Sequence, residues 1–253
     1  MFNDWLTIGS FTIHGYGVMI AIGVLTAVWL SEKQTTKYGL DSTKVEAIAV
    51  AGVAVGYLCS KITYCLTVWQ DFLKNPVSVL GSSGWVVYGG ILGGILGAYI
   101  YCKVKKLDFF AYFNVIIPSV SLAQAFGRIG CFFAGCCYGL ETTSKLSVVF
   151  PSGSLAPSGV SLIPTQLISS FGDFVLFAIL YKVYANEKTK NETAAWYLIL
   201  YSFGRFLVEF LRGDIERGSI GIFSTSQFLS IITMVVGVIY LIKIKKDKKG
   251  QTI

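Results

Sequence analysis

Charge is scarce in this chain. Asp, Glu, Lys and Arg make up 14% of its 253 residues, where a soluble domain carries about 25%. That shortfall, with a mean hydropathy of +0.64, excludes an ordinary soluble globule. Histidine is confined to His14 and only three cysteines, Cys131, Cys136 and Cys137, cluster in sequence, so metal ligation is weakly supported. The first ten residues hold Asp4 but no Lys or Arg. They lack the positive start and small-residue cleavage site of a secretory signal, so the first apolar stretch is expected to stay in the mature protein. No internal repeat, low-complexity tract or interdomain linker is visible, and a single domain over 1–253 is expected.

What is present fits a membrane. Apolar residues form 54% of the chain and aromatics 15%, with 27 glycines. Glycine lets membrane helices approach closely, and aromatics settle at the interfaces. Stretches of roughly 20 apolar residues cross the hydrocarbon core. They are read at 13–30, 45–68, 86–101, 109–125, 162–184, 194–210 and 220–242. The fourth contains Asn114 and Pro118 and runs into a glycine- and cysteine-rich stretch that either re-enters or crosses.

The net charge of +7 does not imply nucleic acid, because the lysines gather in short runs between apolar segments. Lys33, Lys37 and Lys44 follow the first span, Lys103, Lys105 and Lys106 the third, and Lys182, Lys188 and Lys190 the fifth. Five more lysines, Lys243 to Lys249, occupy the tail. The other side has only Lys74, Arg128, Lys145, Arg212 and Arg217. By the positive-inside rule the expectation is an all-α, polytopic membrane protein. It has about seven transmembrane helices, with the N-terminus outside and the C-terminus cytoplasmic. Residues 144–164 read as an ordered or mobile external loop.

An ionisable side chain at membrane depth costs at least about 2–3 kcal/mol, so each one needs a reason. Lys61 lies in the second span, Arg128 at the end of the fourth, and Arg205 and Glu209 in the sixth. Asp173 in the fifth has no evident partner. Arg205 and Glu209 are four apart and share a helix face. Arg212, further along, either joins a site or snorkels to the interface. Arg128, Arg205 and Lys61 brought together would suit a phosphate, which arginine holds bidentately. At that depth the phosphate is a phospholipid head group.

Glycines in Tyr88-Gly-Gly-Ile-Leu-Gly-Gly-Ile-Leu-Gly97 recur at four-residue spacing, a pattern for close helix packing. Tyr88 at its end is an interface anchor or a site hydroxyl. His14 reads as an interfacial group, and Tyr16, between two glycines, as a residue facing a cavity. Cys59, Cys65 and Cys102 read as small buried residues. Cys131, Cys136 and Cys137 cluster in sequence; a disulfide, a reactive thiol and plain packing all fit them.

Taken together these residues resemble the phosphatidylglycerol–prolipoprotein diacylglyceryl transferase family, along roughly 15–240. The motifs fall in the family's order: Tyr16-Gly-Val-Met, Tyr88-Gly-Gly-Ile-Leu-Gly-Gly, Gly127-Arg-Ile-Gly, Ile163-Pro-Thr-Gln-Leu, Gly204-Arg-Phe-Leu-Val-Glu-Phe-Leu-Arg and Ser226-Gln-Phe-Leu-Ser-Ile. The resemblance implies transfer of a diacylglyceryl group from phosphatidylglycerol to the thiol of a prolipoprotein's lipobox cysteine, in a bacterial cytoplasmic (inner) membrane. Glycerol phosphate is released, and no metal or other cofactor is required. It places Arg128, Arg205, Tyr16, Glu209 and Tyr88 in the catalytic set, the arginines holding the lipid phosphate as the thiolate attacks the glycerol carbon. Lys61, Arg212, Cys131, Cys136 and Gln166 are implied to bind substrate.

The chain departs from the family pattern at definite places. Where the family continues its arginine motif with two asparagines and a glutamate, Cys131, Ala134 and Cys136 stand here. Tyr88 replaces a histidine, and Lys61 an arginine. Those departures leave room for a paralogue with another acceptor, such as a peptide or a small thiol. Readings from other classes are a membrane thiol-oxidoreductase using the cysteine cluster, a transporter, and an inactive scaffold. A transporter would commonly carry an inverted repeat.

Overall fold

The structure is a computed structural model that describes residues 3–9, 11–186, 188–214 and 218–250. Arg217, counted above among the sparse charges of one side, lies outside the described residues. The order begins with a hairpin, β1 (Asp4–Ile8) and β2 (Phe11–His14), followed by α1 (Gly15–Lys37) and α2 (Thr43–Thr67). Two short helices, α3 (Trp69–Lys74) and α4 (Pro76–Gly81), lead to α5 (Val87–Val104) and α6 (Phe109–Ala134). A two-residue pair, β3 (Val148–Val149) and β4 (Ser161–Leu162), precedes α7 (Thr165–Ala185) and α8 (Thr193–Glu209). A second such pair, β5 (Ser219–Ile220) and β6 (Phe223–Ser224), precedes α9 (Thr225–Gly250).

The protein is mostly helical. Six of the described helices, α1, α2, α5, α6, α7 and α9, are long and apolar enough to cross a membrane. The expected sixth span is the 17-residue α8, at the short end of spanning lengths. Burial is inverted relative to a soluble protein. Lys61, Asn114, Gln166, Asp173 and Glu209 are buried, while Leu25, Val50, Leu92 and Ile239 are each at least 60% exposed. An apolar exterior of this extent matches a lipid surround rather than water.

Several expected boundaries move. The fourth span does not stop at 125: α6 continues through the fully buried Pro118 to Ala134 and is long and apolar enough to cross, so Arg128 lies inside it. Gly135, at φ +72, takes the left-handed conformation that commonly ends a helix. The fifth and seventh spans begin later than read, because 161–162 and 219–224 form strand pairs. Pro164 directly precedes the first turn of α7. The segment 144–164 is ordered by a small core in which Phe150, Ala156 and Leu162 pack with Phe132 and Tyr138.

The chain forms two compact units, residues 31–112 and residues 1–30 with 113–253. In the smaller unit α2 packs on α5 through glycine. A Cβ on Gly56 would lie 2.8 Å from the Gly90 carbonyl oxygen, and one on Gly97 2.6 Å from that of Ala51. The repeated glycines of α5 therefore serve close backbone approach.

In the larger unit α6 and α8 run alongside in the same direction. The Asn114 side-chain oxygen accepts the Ala194 backbone N–H at 2.9 Å, supplying one of the partners that a helix start lacks. Further along, the Tyr197 hydroxyl donates to Gln124 Oε1 at 2.9 Å. Asn114 is thus a cap for α8, and its presence in an apolar span is explained.

Candidate active site

Arg128 and Arg205 line one cavity of the larger unit, between α6, α7 and α8, with Ser169, Asp173 and Tyr201. Arg205 is held from two sides: its Nη2 meets Glu209 Oε2 at 2.7 Å and donates to Ser226 Oγ at 3.0 Å. Glu209 is almost fully buried. Asp173, which had no evident partner in the sequence, sits within electrostatic range of both arginines. A polar stripe signals it: Gln166, Ser170 and Asp173 are all buried on α7, at the i, i+4, i+7 spacing of one helix face. Tyr201 is missed by sequence reasoning for a different reason, since one more tyrosine in an aromatic helix carries no signal.

The three clustered cysteines stay together in space. Their Sγ atoms all lie within 4.8 Å of one another, and all are free thiols in this structure. Cys131 lies on α6, three residues beyond Arg128, and Cys136 and Cys137 follow the turn at Gly135. The loop is clamped from α7. Thr165 Oγ1 donates to the Cys137 carbonyl at 2.7 Å, and Gln166 Nε2 to the Cys136 carbonyl at 2.8 Å. Thr165 and Gln166 are both buried. Cys137 itself adopts φ 58, a conformation uncommon outside glycine.

Beyond the cluster, Leu140 N–H donates to the Leu211 carbonyl at 2.9 Å and Gly213 N–H to that of Tyr138 at 3.1 Å. This stitching brings Arg212 near Cys137. Arg212 Nε donates to Asp214 Oδ1 at 2.9 Å and Nη2 reaches Oδ2. Burial works against its charge, but the Asp214 hydrogen bonds prevail and hold the guanidinium above its ordinary value. Hydrogen bonding from Cys131 and then Cys136 holds the Cys137 thiol below the usual thiol range, with Arg212 and Arg128 acting in the same direction.

Tyr16 packs against Gly130 on α6, half-exposed and within electrostatic range of Arg128 and all three cysteines. His14 pairs with Asp4 at 2.8 Å on the exposed hairpin. The larger unit therefore gathers Arg128, Arg205, Glu209, Arg212, Tyr16, Cys131, Cys136 and Gln166. Lys61 and Tyr88 belong to the smaller one. The Lys61 ammonium donates to the Ser82 carbonyl at 2.7 Å, the Gly84 carbonyl at 3.2 Å and Ser82 Oγ at 3.3 Å. It also lies over the rings of Tyr64 and Trp85. Tyr88 stands on the first turn of α5, exposed.

The larger unit thus sets two guanidinium groups on one cavity beside three thiols, with Arg128 near both. Sequence comparison identifies the family. The model of the prolipoprotein diacylglyceryl transferase family matches residues 4–243. The chain is 42% identical to phosphatidylglycerol–prolipoprotein diacylglyceryl transferase 2 of Clostridium perfringens, over 94% of this chain and 93% of the relative. It is 41% identical to the phosphatidylglycerol–prolipoprotein diacylglyceryl transferase of Clostridium tetani, over 94% and 95%, and 31% identical to that of Clostridioides difficile, over 96% and 97%. With motif order, membrane helices and full-length matches in accord, the chain belongs to the prolipoprotein diacylglyceryl transferase family and is a multi-pass transferase of the bacterial cytoplasmic membrane.

Proposed function

We propose that this chain transfers a diacylglyceryl group from phosphatidylglycerol to the thiol of a prolipoprotein lipobox cysteine, with Arg128 and Arg205 holding the lipid phosphate. The observation that carries this reading is the shared cavity of the two guanidinium groups. Glu209 and Ser226 both engage Nη2 of Arg205, which leaves Nε and Nη1 for phosphate oxygens. Fixed donors aimed at the leaving group stabilise the charge that grows there as the glycerol C–O bond breaks. Glu209 orients Arg205, and Asp173 offsets Arg128. Tyr16 borders the thiol cluster where the acceptor enters.

Gln166 acts through the cysteine loop that it clamps, and Lys61 through the turn that it ties before α5. Tyr88, exposed on the first turn of α5, offers a hydroxyl to substrate. Arg212 sets the charge around Cys137. The family match runs through both compact units, which supports one catalytic domain. The shared direction of α6 and α8 supports α8 as a crossing. That gives seven spans, N-terminus outside and C-terminus cytoplasmic.

The test is release of glycerol phosphate from phosphatidylglycerol by the purified chain, with and without a lipobox peptide. Release that requires the peptide cysteine and is lost in Arg205→Ala is the expected result. Release indifferent to the peptide would overturn the acceptor, and no release from a folded chain would overturn the donor.

A further inference from the structure

We propose that Cys131, Cys136 and Cys137 bind one thiophilic divalent ion, zinc above all, whose open fourth position takes the acceptor cysteine as its thiolate. The inference rests on the transfer reaction proposed above and adds the means by which the acceptor thiol is activated.

The geometry is that of a three-ligand site. Zinc binds thiolate at about 2.3 Å, which sets sulfur atoms about 3.8 Å apart around a tetrahedral ion. The three Sγ atoms already lie within 4.8 Å of one another, so contraction by less than about 1 Å along each edge closes the site. The loop is fixed for it: buried Thr165 and Gln166 hold the carbonyls of Cys136 and Cys137 from outside. Structural zinc is closed by four protein ligands, whereas catalytic zinc keeps three and leaves one position open. Among the described residues the cluster offers three.

The surroundings suit such an ion. Three thiolates on a dication leave a net negative charge, and Arg128 lies within electrostatic range of Cys131 and Cys137, with Arg212 near Cys137. Arg128 also lines the phosphate cavity, so the bound thiol and the donor phosphate would share a neighbour. An acceptor thiol that coordinates the ion is deprotonated outright, which supplies the nucleophile this reaction needs. The step balances without redox change. The acceptor S–H proton leaves to water, and the sulfur forms a bond to the glyceryl carbon. The carbon–oxygen bond of the phosphoester breaks, and its electron pair stays with glycerol phosphate. The product thioether is neutral and a weaker ligand than a thiolate.

The test uses the full chain in lipid nanodiscs, reduced and stripped with a chelator, then titrated with Zn(II) or with Co(II) as a coloured probe. One ion per chain is expected, with the intense near-ultraviolet band of sulfur-to-cobalt charge transfer. A lipobox peptide should change the cobalt spectrum, and the same peptide with serine for cysteine should not. Stripping should abolish transfer from phosphatidylglycerol, and zinc should restore it. Wild-type protein that takes up no stoichiometric metal, or whose cysteines instead close a disulfide under these reducing conditions, overturns the site. A cobalt spectrum indifferent to the peptide thiol, or transfer undiminished by stripping, overturns its part in the reaction. A loaded chain that answers the peptide thiol yet releases no glycerol phosphate upholds the metal site and sinks the donor assignment instead. Cys131→Ser, Cys136→Ser and Cys137→Ser should each lose the charge-transfer band, but the wild-type readings decide even where a variant fails to fold.

Discussion

Arg205 and Glu209 meet at 2.7 Å one helical turn apart on α8, the carboxylate side chain 1% exposed and the guanidinium 16%. The carboxylate is the deeper of the two, so it acts as the fixed point and the arginine as the group that reaches outward. Removing the arginine should lower turnover by about 10²–10³, the usual effect of losing one donor to a developing negative charge. Glu209→Gln should act more mildly, by letting the guanidinium turn, and should raise KM for the lipid as well as lowering kcat. Glycerol phosphate release by both variants checks this. A Glu209→Gln enzyme as inactive as Arg205→Ala would give the carboxylate a direct role.

Arg128 separates charge from shape. Arg128→Lys keeps the cation and loses the planar fork that grips phosphate bidentately. We expect activity between wild type and Arg128→Ala, with the loss chiefly in kcat. Equal activity of Lys and wild type would show that only a point charge is needed there.

The Asn114 cap on α8 is a matter of stability rather than chemistry. In Asn114→Leu the buried Ala194 N–H loses its partner, which costs about 1–3 kcal/mol. The unfolding midpoint in mild detergent should fall, and activity of the remaining folded protein should not. An unchanged midpoint would mean that another group caps α8.

The glycine contacts of the smaller unit are equally testable. Gly97→Leu drives a side chain toward the Ala51 carbonyl and Val55, and overpacking of this kind costs about 1–3 kcal/mol or more. Gly81→Ala, where a Cβ meets nothing within 4 Å, is the matching control and should leave the midpoint alone. If the two variants unfold together, α2 and α5 do not need the close approach.

The proposed seven-span topology predicts opposite sides for the two ends of the chain. Cysteine-labelling or reporter fusions in intact cells should place the Lys188–Lys190 turn and the C-terminal tail in the cytoplasm. They should place the 144–164 segment outside. Finding 144–164 and the tail on one side would remove α8 from the crossings.

Much of this architecture was legible in the sequence because lipid imposes a simple rule. Twenty apolar residues span, and the interruptions fall in loops. Six of the seven predicted spans coincide with helices long enough to cross, most of them within several residues at each end. The failures have a common cause. Asn114 and Pro118 inside α6, and the glycine- and cysteine-rich stretch around Arg128, left its crossing and its end open, because such residues are unfavourable in lipid taken alone. Asn114 has Ala194 to bond, and Arg128 has Asp173 and Tyr201 near it. Partners supplied by other helices are invisible to a reading that moves along one. Arg205 with Glu209 was legible, being a pair within a single helix. Asp173 was not paired in advance, since the arginines that it serves come from α6 and α8. The spatial triangle of thiols was likewise out of reach: Cys131 to Cys137 is near in sequence, but the turn at Gly135 and the clamp from α7 decide how near the sulfur atoms come.

Lys61 carries one further consequence. Its three N–H donors serve three different acceptors, two carbonyls and a hydroxyl, arrayed around a single nitrogen. A tetrahedral ammonium can address three such directions at once, whereas a guanidinium presents its donors in one plane. Lysine here is therefore not a weakened arginine but the residue whose symmetry matches the pocket it fills. Standing where the family has an arginine, it is a knot that ties the turn before α5 to the body of α2.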